Sequence, residues 1–354
     1  MRTLAIIGCG RIARFAHLPA LSNIEGVRIK YGCDIIEEKA KKLKEDFPII
    51  EEVITDYNVA LNDPEVEAVY VLTPNYVHYT VTMDALAKGK HVFCEKPITI
   101  NHKLSVKMAK EAEKQGKILN IGVCNRYQKS VEMLEEYNRQ GKFGNIYHVY
   151  CSFRNFRSIP GLGGDFTNKK MSGGGVLIDW GIHFLDLILY VLGSAKLKTV
   201  TCNAYNEMAK DMKEYVCKDM WAQDTSDIEN GVNDVDDLIT GFIRTDKASI
   251  SFNGAWAQNI DKNEMFIDFM GDKAGIRLEY CSDFRLWSVK NGMLTETKVS
   301  AKETNMYENE INDFIRCIKT GDKNQQYIDY AVETSKILQA VYDSSESHSE
   351  IKIS

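Results

Sequence analysis

The sequence lacks the cysteine patterns of zinc sites and of disulfide-stabilised domains. Its nine cysteines are odd in number, and no two of them form a C-x-x-C pair or another zinc-ligand spacing. Reduced thiols of this kind are typical of a cytoplasmic protein, so we expect that location and no bound metal. The sequence also has no G-x-S-x-G nucleophile elbow and no Walker loop, which argues against two common types of hydrolase and nucleotidase.

Positive charge and long apolar runs are scarce as well. Lysine and arginine number 44 against 50 acidic residues, a net charge of −6, and they are scattered, which argues against a nucleic-acid partner. The longest apolar stretch, from Phe184 to Leu192, contains Asp186 and is far shorter than a bilayer span. We therefore expect no membrane partner and, because strand-forming residues begin the sequence, no signal peptide. The 354 residues favour two globular domains.

A G-x-G-x-x-A motif at residues 8–13 is the most informative feature that is present. It follows a short apolar run typical of a buried strand and precedes a helix-like segment. Gly8 allows a tight turn, and Gly10 leaves room for a pyrophosphate at the helix N-terminus. The next predicted strand ends at Asp34, where a carboxylate would bind the adenosine ribose. This order of elements predicts dinucleotide binding rather than a chance glycine turn.

The predicted elements change character after about residue 125. Before it, strand-like and helix-like segments alternate, which predicts right-handed crossovers and an α/β doubly wound parallel sheet. After it, strand follows strand with short turns such as Asn291-Gly292, which predicts an α+β domain with a large, mostly antiparallel open sheet. We expect domains at 1–125 and 126–354. Two closing helices, 306–320 and 329–344, can pack on either domain.

Lys96 is the first candidate for chemistry. It belongs to Glu95-Lys96-Pro97 at the carboxyl end of the fifth predicted strand, and Thr73-Pro74-Asn75 ends the fourth. Ligands bind at this edge of an open α/β sheet, and the proline favours an extended backbone at Lys96. An amine there can bind a substrate hydroxyl and stabilise the alkoxide that forms during hydride transfer. The alternative, a solvated loop lysine, is disfavoured by this location.

A glycine-led helix contains the second candidate group. Asp179 and His183 lie four residues apart in the predicted helix Gly175 to Leu192, which places them on one face. A histidine beside a carboxylate can accept a proton near neutral pH, while the carboxylate orients the ring. Asp186 can share that face, and for it we favour a structural role that connects the helix to the sheet.

Together these motifs resemble the glucose–fructose oxidoreductase / inositol dehydrogenase / MocA family. The resemblance rests on residues 8–13, on Thr73-Pro74-Asn75 with His78, on Glu95-Lys96-Pro97 and on Asp179-Trp180-Gly181-Ile182-His183, and it extends over the whole order of elements. It implies a Rossmann domain followed by an open-sheet domain, with sugar-type substrates bound between them and dimers or tetramers. It also implies that Lys96, Asp179 and His183 match the catalytic trio of the family.

The expected cofactor is NAD. Its contacts are expected from the glycine motif and from the strand ends that follow it: Gly8, Gly10, Arg11, Ile12, Asp34, Thr73, Pro74, Asn75, His78, Glu95 and Lys96. We expect a preference for NAD over NADP, because Asp34 would repel a 2′-phosphate and Ile35 and Ile36 offer no cation. Lys39 is the nearest lysine that a phosphate could reach.

Substrate contacts are expected from the catalytic trio and from residues that follow predicted strands. The expected set is Lys96, Arg126, Tyr127, Asn155, Asp179 and His183, with Arg154 and Arg157 as further candidates. Surface placement is the alternative for each of the residues outside the trio. The loop Phe156 to Ser172 and the acidic insertion Asn206 to Asp234 would set the choice of substrate. Their charge favours a neutral sugar ring or its glycoside over a phosphorylated substrate.

The sequence therefore predicts an NAD-dependent oxidoreductase that acts on a secondary ring hydroxyl of a sugar, cyclitol or glycoside. A second hypothesis is a glycoside-cleaving enzyme that uses NAD catalytically, by oxidation, elimination and return of the hydride. A third, a non-catalytic dinucleotide sensor, is disfavoured by the intact trio. We also expect a homodimer or homotetramer formed through the second-domain sheet. About half of its apolar residues, among them Ile250, Phe252, Phe266 and Phe269, would face away from the core.

Overall fold

The computed structural model describes residues 1–193, 195–280, 282–302 and 304–353. These residues form two compact units, one of residues 1–127 and 304–332 and the other of 128–303 and 333–354. The segment 304–332, which contains the first of the closing helices, thus belongs to the first unit. The predicted domains were 1–125 and 126–354, and the sequence left open on which domain the two closing helices pack.

The elements follow the predicted order along the chain. The strands are β1 (Arg2–Ile7), β2 (Val27–Cys33), β3 (Ile50–Ile54), β4 (Ala68–Val71), β5 (His91–Glu95), β6 (Leu119–Gly122), β7 (Ile146–Arg154), β8 (Leu197–Tyr205), β9 (Leu238–Thr245), β10 (Ser249–Ala255), β11 (Glu264–Gly271), β12 (Ala274–Glu279), β13 (Phe284–Lys290), β14 (Met293–Val299) and β15 (Ile351–Lys352). The helices are α1 (Leu18–Leu21), α2 (Glu37–Asp46), α3 (Tyr57–Asn62), α4 (His78–Ala87), α5 (His102–Gln115), α6 (Lys129–Arg139), α7 (Lys169–Ser172), α8 (Ile182–Leu192), α9 (Met306–Thr320) and α10 (Gln325–Ser347). Two π-helical turns, Ala13–His17 and Leu177–Gly181, lead into α1 and α8.

The first unit contains the predicted doubly wound sheet. Its six strands are parallel in the order β3-β2-β1-β4-β5-β6. Helices cover both faces: Leu86 and Met108 of α4 and α5 pack on one, and Leu21 and Leu43 of α1 and α2 on the other. Because both faces are buried, the central strands β1 and β4 are continuous apolar runs rather than alternating ones, as the sequence indicated.

Helix ends in the first unit follow the local sequence. The Asn101 side chain accepts the backbone N–H of Lys103 at 2.9 Å and of Leu104 at 3.3 Å, and so caps the N-terminus of α5. Gly116 ends the helix in the left-handed conformation, with φ 64°. These two residues are 15 positions apart in the printed sequence, so the limits of α5 could be predicted from local pattern alone.

The second unit is built on the predicted open sheet, which has nine strands. Their order is β14-β13-β12-β11-β7-β10-β9-β8-β15, and every neighbouring pair is antiparallel except β7 with β10. The turn between β13 and β14 is Asn291-Gly292, with φ 53° and 74°. Positive φ at both positions is the geometry of a two-residue hairpin, which the pair predicted.

The apolar residues of this sheet are distributed over its two faces differently from the expectation. Ile250, Phe252 and Phe269 are 0, 2 and 1% exposed and lie on the face to which Phe153 belongs, where Phe153 stacks on Phe184 of α8. Phe266 alternates to the opposite face, where it remains 8% exposed. Three of the four residues, rather than half, therefore face the core. The register of β10 and β11 against β7 decides which face each residue occupies, and the prediction was made without this register.

The apolar helix α8 is a core element of the second unit. The window Lys169–Leu192 has the length and hydropathy of a membrane-spanning helix, but 83% of it is buried inside the structure, as in the core helix of a soluble protein. Asp186 is fully buried and accepts a hydrogen bond from Thr334 Oγ1 of α10 at 3.1 Å. Its role is structural as expected, but this bond connects α8 to α10 rather than to the sheet.

The insertion 206–234 packs against the loop 156–172 within the second unit. Ala222 N–H donates to Pro160 O and Asp227 N–H to Leu162 O, each at 2.8 Å. Phe166 and Trp221 contact edge to face, with ring centroids 4.7 Å apart. The two segments that we expected to determine the substrate therefore form one continuous surface.

Candidate functional site

The glycine motif forms a tight turn after β1 with open space beside it. Gly8 has φ 100°, and a Cβ at this position would lie 2.5 Å from the carbonyl oxygen of Leu72. Gly10, in contrast, has no atom within 4 Å of the place where its Cβ would be. Gly8 is thus required by the fold, whereas the absence of a side chain at Gly10 leaves room for a ligand. This is the arrangement that a pyrophosphate needs.

Asp34 lies directly beside this turn. Its Oδ2 accepts the Cys9 N–H at 2.9 Å, and its Oδ1 accepts the Ile36 N–H at 2.9 Å. These two bonds hold the carboxylate at the carboxyl end of β2, half-buried and next to the glycine motif. The residues of this edge therefore fit a dinucleotide whose ribose hydroxyls donate to Asp34. NAD, when bound, would supply the hydride acceptor.

His78 connects the ends of β4 and β5. Its Nδ1 lies 2.8 Å from Pro97 O and its Nε2 lies 2.9 Å from Thr73 O, and the side chain is fully buried. Burial lowers the pKa of His78, although the two carbonyl contacts oppose this shift. The side chain thus supports both candidate loops from inside. Direct cofactor contact by His78 stays a prediction.

Glu95 supports Lys96 in a similar way. Its Oε2 accepts the Lys96 N–H at 3.1 Å, and its Oε1 lies 2.7 Å from His17 Nε2. A Cβ on Gly122 would lie 2.8 Å from that Oε1, so a larger residue here would displace the Glu95 carboxylate. Lys96 is half-buried at the end of β5. Sequence reasoning missed His17, whose only signal was a lone histidine within the predicted helix Ala13 to Leu21.

Arg126 and Tyr127 are buried within the first unit. Arg126 is 2% exposed, donates from Nη1 to Tyr327 O at 3.0 Å, and lies over the rings of Tyr327 and Tyr330. Tyr127 is 8% exposed, and its hydroxyl donates to Asp313 Oδ2 at 2.8 Å. This burial excludes the surface placement that was the alternative. Substrate contact by either residue stays a prediction.

Glu310 is a buried carboxyl group that the motifs did not reveal. It is fully buried in α9, and burial raises its pKa well above the ordinary value, with Glu95 adding to the shift and Arg126 opposing it. Glu310 thus interacts electrostatically with Glu95 and Arg126 inside the first unit.

Asp179 and His183 lie at the start of the glycine-led helix in the second unit. Residues 177–181 form a π-helical turn and α8 begins at Ile182, so the two residues are separated by a wider turn than predicted. Both side chains are half-buried. Asp179 Oδ2 accepts a hydrogen bond from Trp256 Nε1 at 3.3 Å, and Trp256 is 1% exposed. Trp256 is therefore a core residue that contacts a candidate catalytic group.

The other arginine candidates of the second unit have partners. Arg154 donates from Nε and Nη2 to Glu264 Oε2 at 2.9 and 2.8 Å, and Arg157 donates to Asn259 Oδ1 at 2.7 Å. Asn155 is half-buried at the end of β7, and its N–H donates to Ala255 O at 2.9 Å. Substrate contact by these three side chains stays a prediction.

Comparison with known proteins agrees with this geometry. Residues 2–123 match the family described as "Oxidoreductase family, NAD-binding Rossmann fold", and residues 131–277 match the "GFO/IDH/MocA C-terminal domain". D-glucoside 3-dehydrogenase of Escherichia coli (strain K12) is 28% identical over 99% of this chain and 97% of its own length. The scyllo-inositol 2-dehydrogenase (NADP(+)) of Bacillus subtilis (strain 168) is 28% identical over 58% of this chain and 56% of its own length.

Solved structures share the fold over the whole chain. Levoglucosan dehydrogenase, in complex with NADH and levoglucosan, has a TM-score of 0.85 at 18% identity and covers 99% of both chains. The chain spans nearly all of the glucoside dehydrogenase and about half of the inositol dehydrogenase. The two family matches lie in the two halves of the chain in the family's own order. The chain therefore belongs to the GFO/IDH/MocA family of NAD-binding oxidoreductases.

Proposed function

We propose that this oxidoreductase oxidises a secondary ring hydroxyl of a neutral sugar, cyclitol or glycoside. The observation that supports it best is the placement of Lys96, half-buried at the carboxyl end of β5 with its backbone N–H bonded to Glu95. This is the edge of the sheet at which Gly10 leaves open space and Asp34 is held for a ribose. The names of the relatives, a glucoside and an inositol dehydrogenase, favour the same substrate class.

The proposed chemistry divides between three side chains. Lys96 donates a hydrogen bond to the substrate oxygen and stabilises the negative charge that develops on it. His183 accepts the hydroxyl proton, and Asp179 orients the imidazole and stabilises its charged form. Trp256 donates to Asp179 Oδ2 and so limits the orientations of this carboxylate. Bound NAD would accept the hydride from the carbinol carbon.

The arginines near the expected substrate loops favour a neutral substrate. Arg154 pairs with Glu264, Arg157 donates to Asn259, and Arg126 is 2% exposed. A phosphate would have to compete for guanidinium groups that already have partners, and the acidic insertion would repel it. A free sugar and its glycoside fit this charge distribution equally well.

The test is a panel of sugars, cyclitols, glycosides and sugar phosphates scanned for NAD reduction. We expect turnover on a neutral ring, and inactivity on all neutral rings, or clear preference for a phosphate, would contradict the proposal. Lys96→Ala and His183→Ala should each lower kcat by about 10²-fold or more while NAD binding is retained. Asp179→Asn should cost less than the loss of His183. Lys88→Ala, at an exposed lysine in the same unit, is the matched control.

We further propose a cytoplasmic homodimer or homotetramer formed through the open sheet of the second unit. The sheet face opposite Phe153 contains Phe266, stacked under Arg277 at 3.9 Å, together with the ion pairs Arg277–Asp268 and Arg154–Glu264. A face that alternates ion pairs with aromatic surface suits a polar subunit interface. The eight described cysteines are all free thiols, which favours a reducing compartment.

A further inference from the structure

Two adjacent carboxylates follow the insertion 206–234. Asp236 and Asp237 lie directly before β9, and their side chains are 6 and 2% exposed. Neither residue belongs to a motif that the sequence indicated. Buried carboxylates are rare unless they are hydrogen-bonded, so the partners of this pair indicate what it does.

Asp236 caps the helical segment that contains Asp179 and His183. Its Oδ1 accepts the Gly175 N–H at 2.7 Å, and its Oδ2 accepts the Leu177 N–H at 3.0 Å. Tyr342 of α10 donates its hydroxyl to the same Oδ1 at 2.7 Å. A carboxylate at a helix N-terminus satisfies free N–H groups and opposes the positive end of the helix dipole.

The glycine run before the helix allows this close contact. A Cβ on Gly175 would overlap the carbonyl oxygen of Asp236, and a Cβ on Gly174 would overlap the hydroxyl of Tyr342. The N–H of Val176 also donates to Asp236 O at 2.9 Å. Gly174 and Gly175 therefore let the start of the helix lie directly on Asp236.

Asp237 connects the insertion to Asp179 through Trp256. Its Oδ2 accepts the N–H groups of Glu207 and Met208, at 2.8 and 2.5 Å, where the insertion begins. Its carbonyl oxygen accepts the Trp256 N–H at 2.9 Å, and Trp256 Nε1 donates to Asp179 at 3.3 Å. A continuous series of hydrogen bonds thus runs from the insertion to a proposed catalytic carboxylate.

The pair is costly for folding. Burial raises the pKa of Asp237 to about 6 and also raises the pKa of Asp236, and the neighbouring Asp236 adds to the shift at Asp237. Residues that reduce stability in this way are often retained for a function. The backbone contacts of Asp236 lie at the start of the helix that contains Asp179 and His183.

We propose that Asp236 and Asp237 are positioning residues that set the orientation of Asp179 and His183 and couple it to the insertion. The inference rests on the proposed dehydrogenase function. Asp236 acts on the helix start, and Asp237 acts on Asp179 through Trp256. Closure of the insertion over a substrate would then reach Asp179 through the same hydrogen bonds.

Two conservative variants and a matched control test this proposal. Tyr342→Phe removes one hydroxyl from Asp236, and Trp256→Phe removes the N–H that binds Asp179. Thr334→Val removes a buried hydroxyl that also connects α10 to α8, but at Asp186, beyond the helix start. We expect about 10-fold lower kcat for the first two variants, with NAD affinity unchanged, and wild-type kcat for the control. All three variants should have a lower Tm than the wild type.

A second readout does not depend on turnover. The titration of the His183 ring is followed by NMR, with its signal among the seven histidines assigned by comparison with His183→Gln. We expect its midpoint to move in Tyr342→Phe and Trp256→Phe but not in Thr334→Val. Unchanged kcat and unchanged titration in both variants would overturn the proposal. If the wild type turned over no neutral ring, but the two variants still shifted the titration, the proposed function alone would be overturned.

Discussion

The burial of Asp237 predicts that the second unit loses stability as the pH rises from about 4 to 6. Burial raises the pKa of this carboxyl from 3.8 to about 6, against the opposing hydrogen bonds from Met208 and Glu207. The folded state therefore holds the proton more tightly than the unfolded chain does. This contribution to stability is complete below the unfolded pKa and is lost as the pH rises through the folded pKa.

The size of the effect follows from the difference in pKa. The interval between 3.8 and about 6 corresponds to about 3 kcal/mol, at 1.36 kcal/mol for each tenfold change in proton affinity. Relaxation around the charged group and nearby water reduce this to about 1–2 kcal/mol in the free energy of unfolding. Asp237→Asn should remove most of this pH dependence, because its amide oxygen can accept the same two N–H groups without a charge.

The assay is urea unfolding followed by tryptophan fluorescence at several pH values between 4.5 and 7.5. All four tryptophans, Trp180, Trp221, Trp256 and Trp287, lie in the second unit, so the signal reports that unit alone. Asp211→Asn, at an exposed position of the same insertion, should keep the wild-type pH dependence. Identical dependence in wild type and Asp237→Asn would show that the buried carboxyl does not titrate in this range, and would refute the reasoning.

Two further predictions concern the cofactor and the assembly. The protein should use NAD with higher catalytic efficiency than NADP, and Asp34→Ala should narrow the difference, because the carboxylate held by Cys9 and Ile36 would repel a 2′-phosphate. Comparable kcat/KM values for the two cofactors in the wild type would contradict this. Light scattering at micromolar concentration should give the mass of a dimer or tetramer, and Arg277→Glu should weaken the assembly by setting a like charge beside Asp268. A wild-type monomer would contradict the proposed interface.

Features that depend on neighbouring residues could be predicted from the sequence. The positive φ at Gly8, the acid at Asp34 and the hairpin at Asn291-Gly292 each leave a signal within a few residues or one strand–helix–strand repeat. Contacts between distant parts of the chain could not be predicted in this way. His17 is 78 residues from Glu95, and Asp236 is 61 residues from Gly175, and neither pair leaves a periodic pattern.

The π-helical turn at residues 177–181 is another feature that could not be predicted from the sequence. Residues 177–181 have the composition of an ordinary α-helix, and the four-residue spacing of Asp179 and His183 predicted a shared α-helical face. The first N–H groups of this segment instead bind Asp236, a residue of a distant connection. This contact joins residues that are about 60 positions apart, so it leaves no local pattern in the sequence.

In each unit, a buried polar side chain contacts the backbone of the segment that contains a candidate catalytic residue. In the first unit His78 lies between Thr73 O and Pro97 O, and a neutral imidazole can donate to only one of them. Burial also lowers the pKa of His78, which disfavours the charged imidazole. In the second unit Asp236 is already satisfied by three donors. Lys96 is thus supported through the backbone of its loop, and Asp179 through the start of its helix.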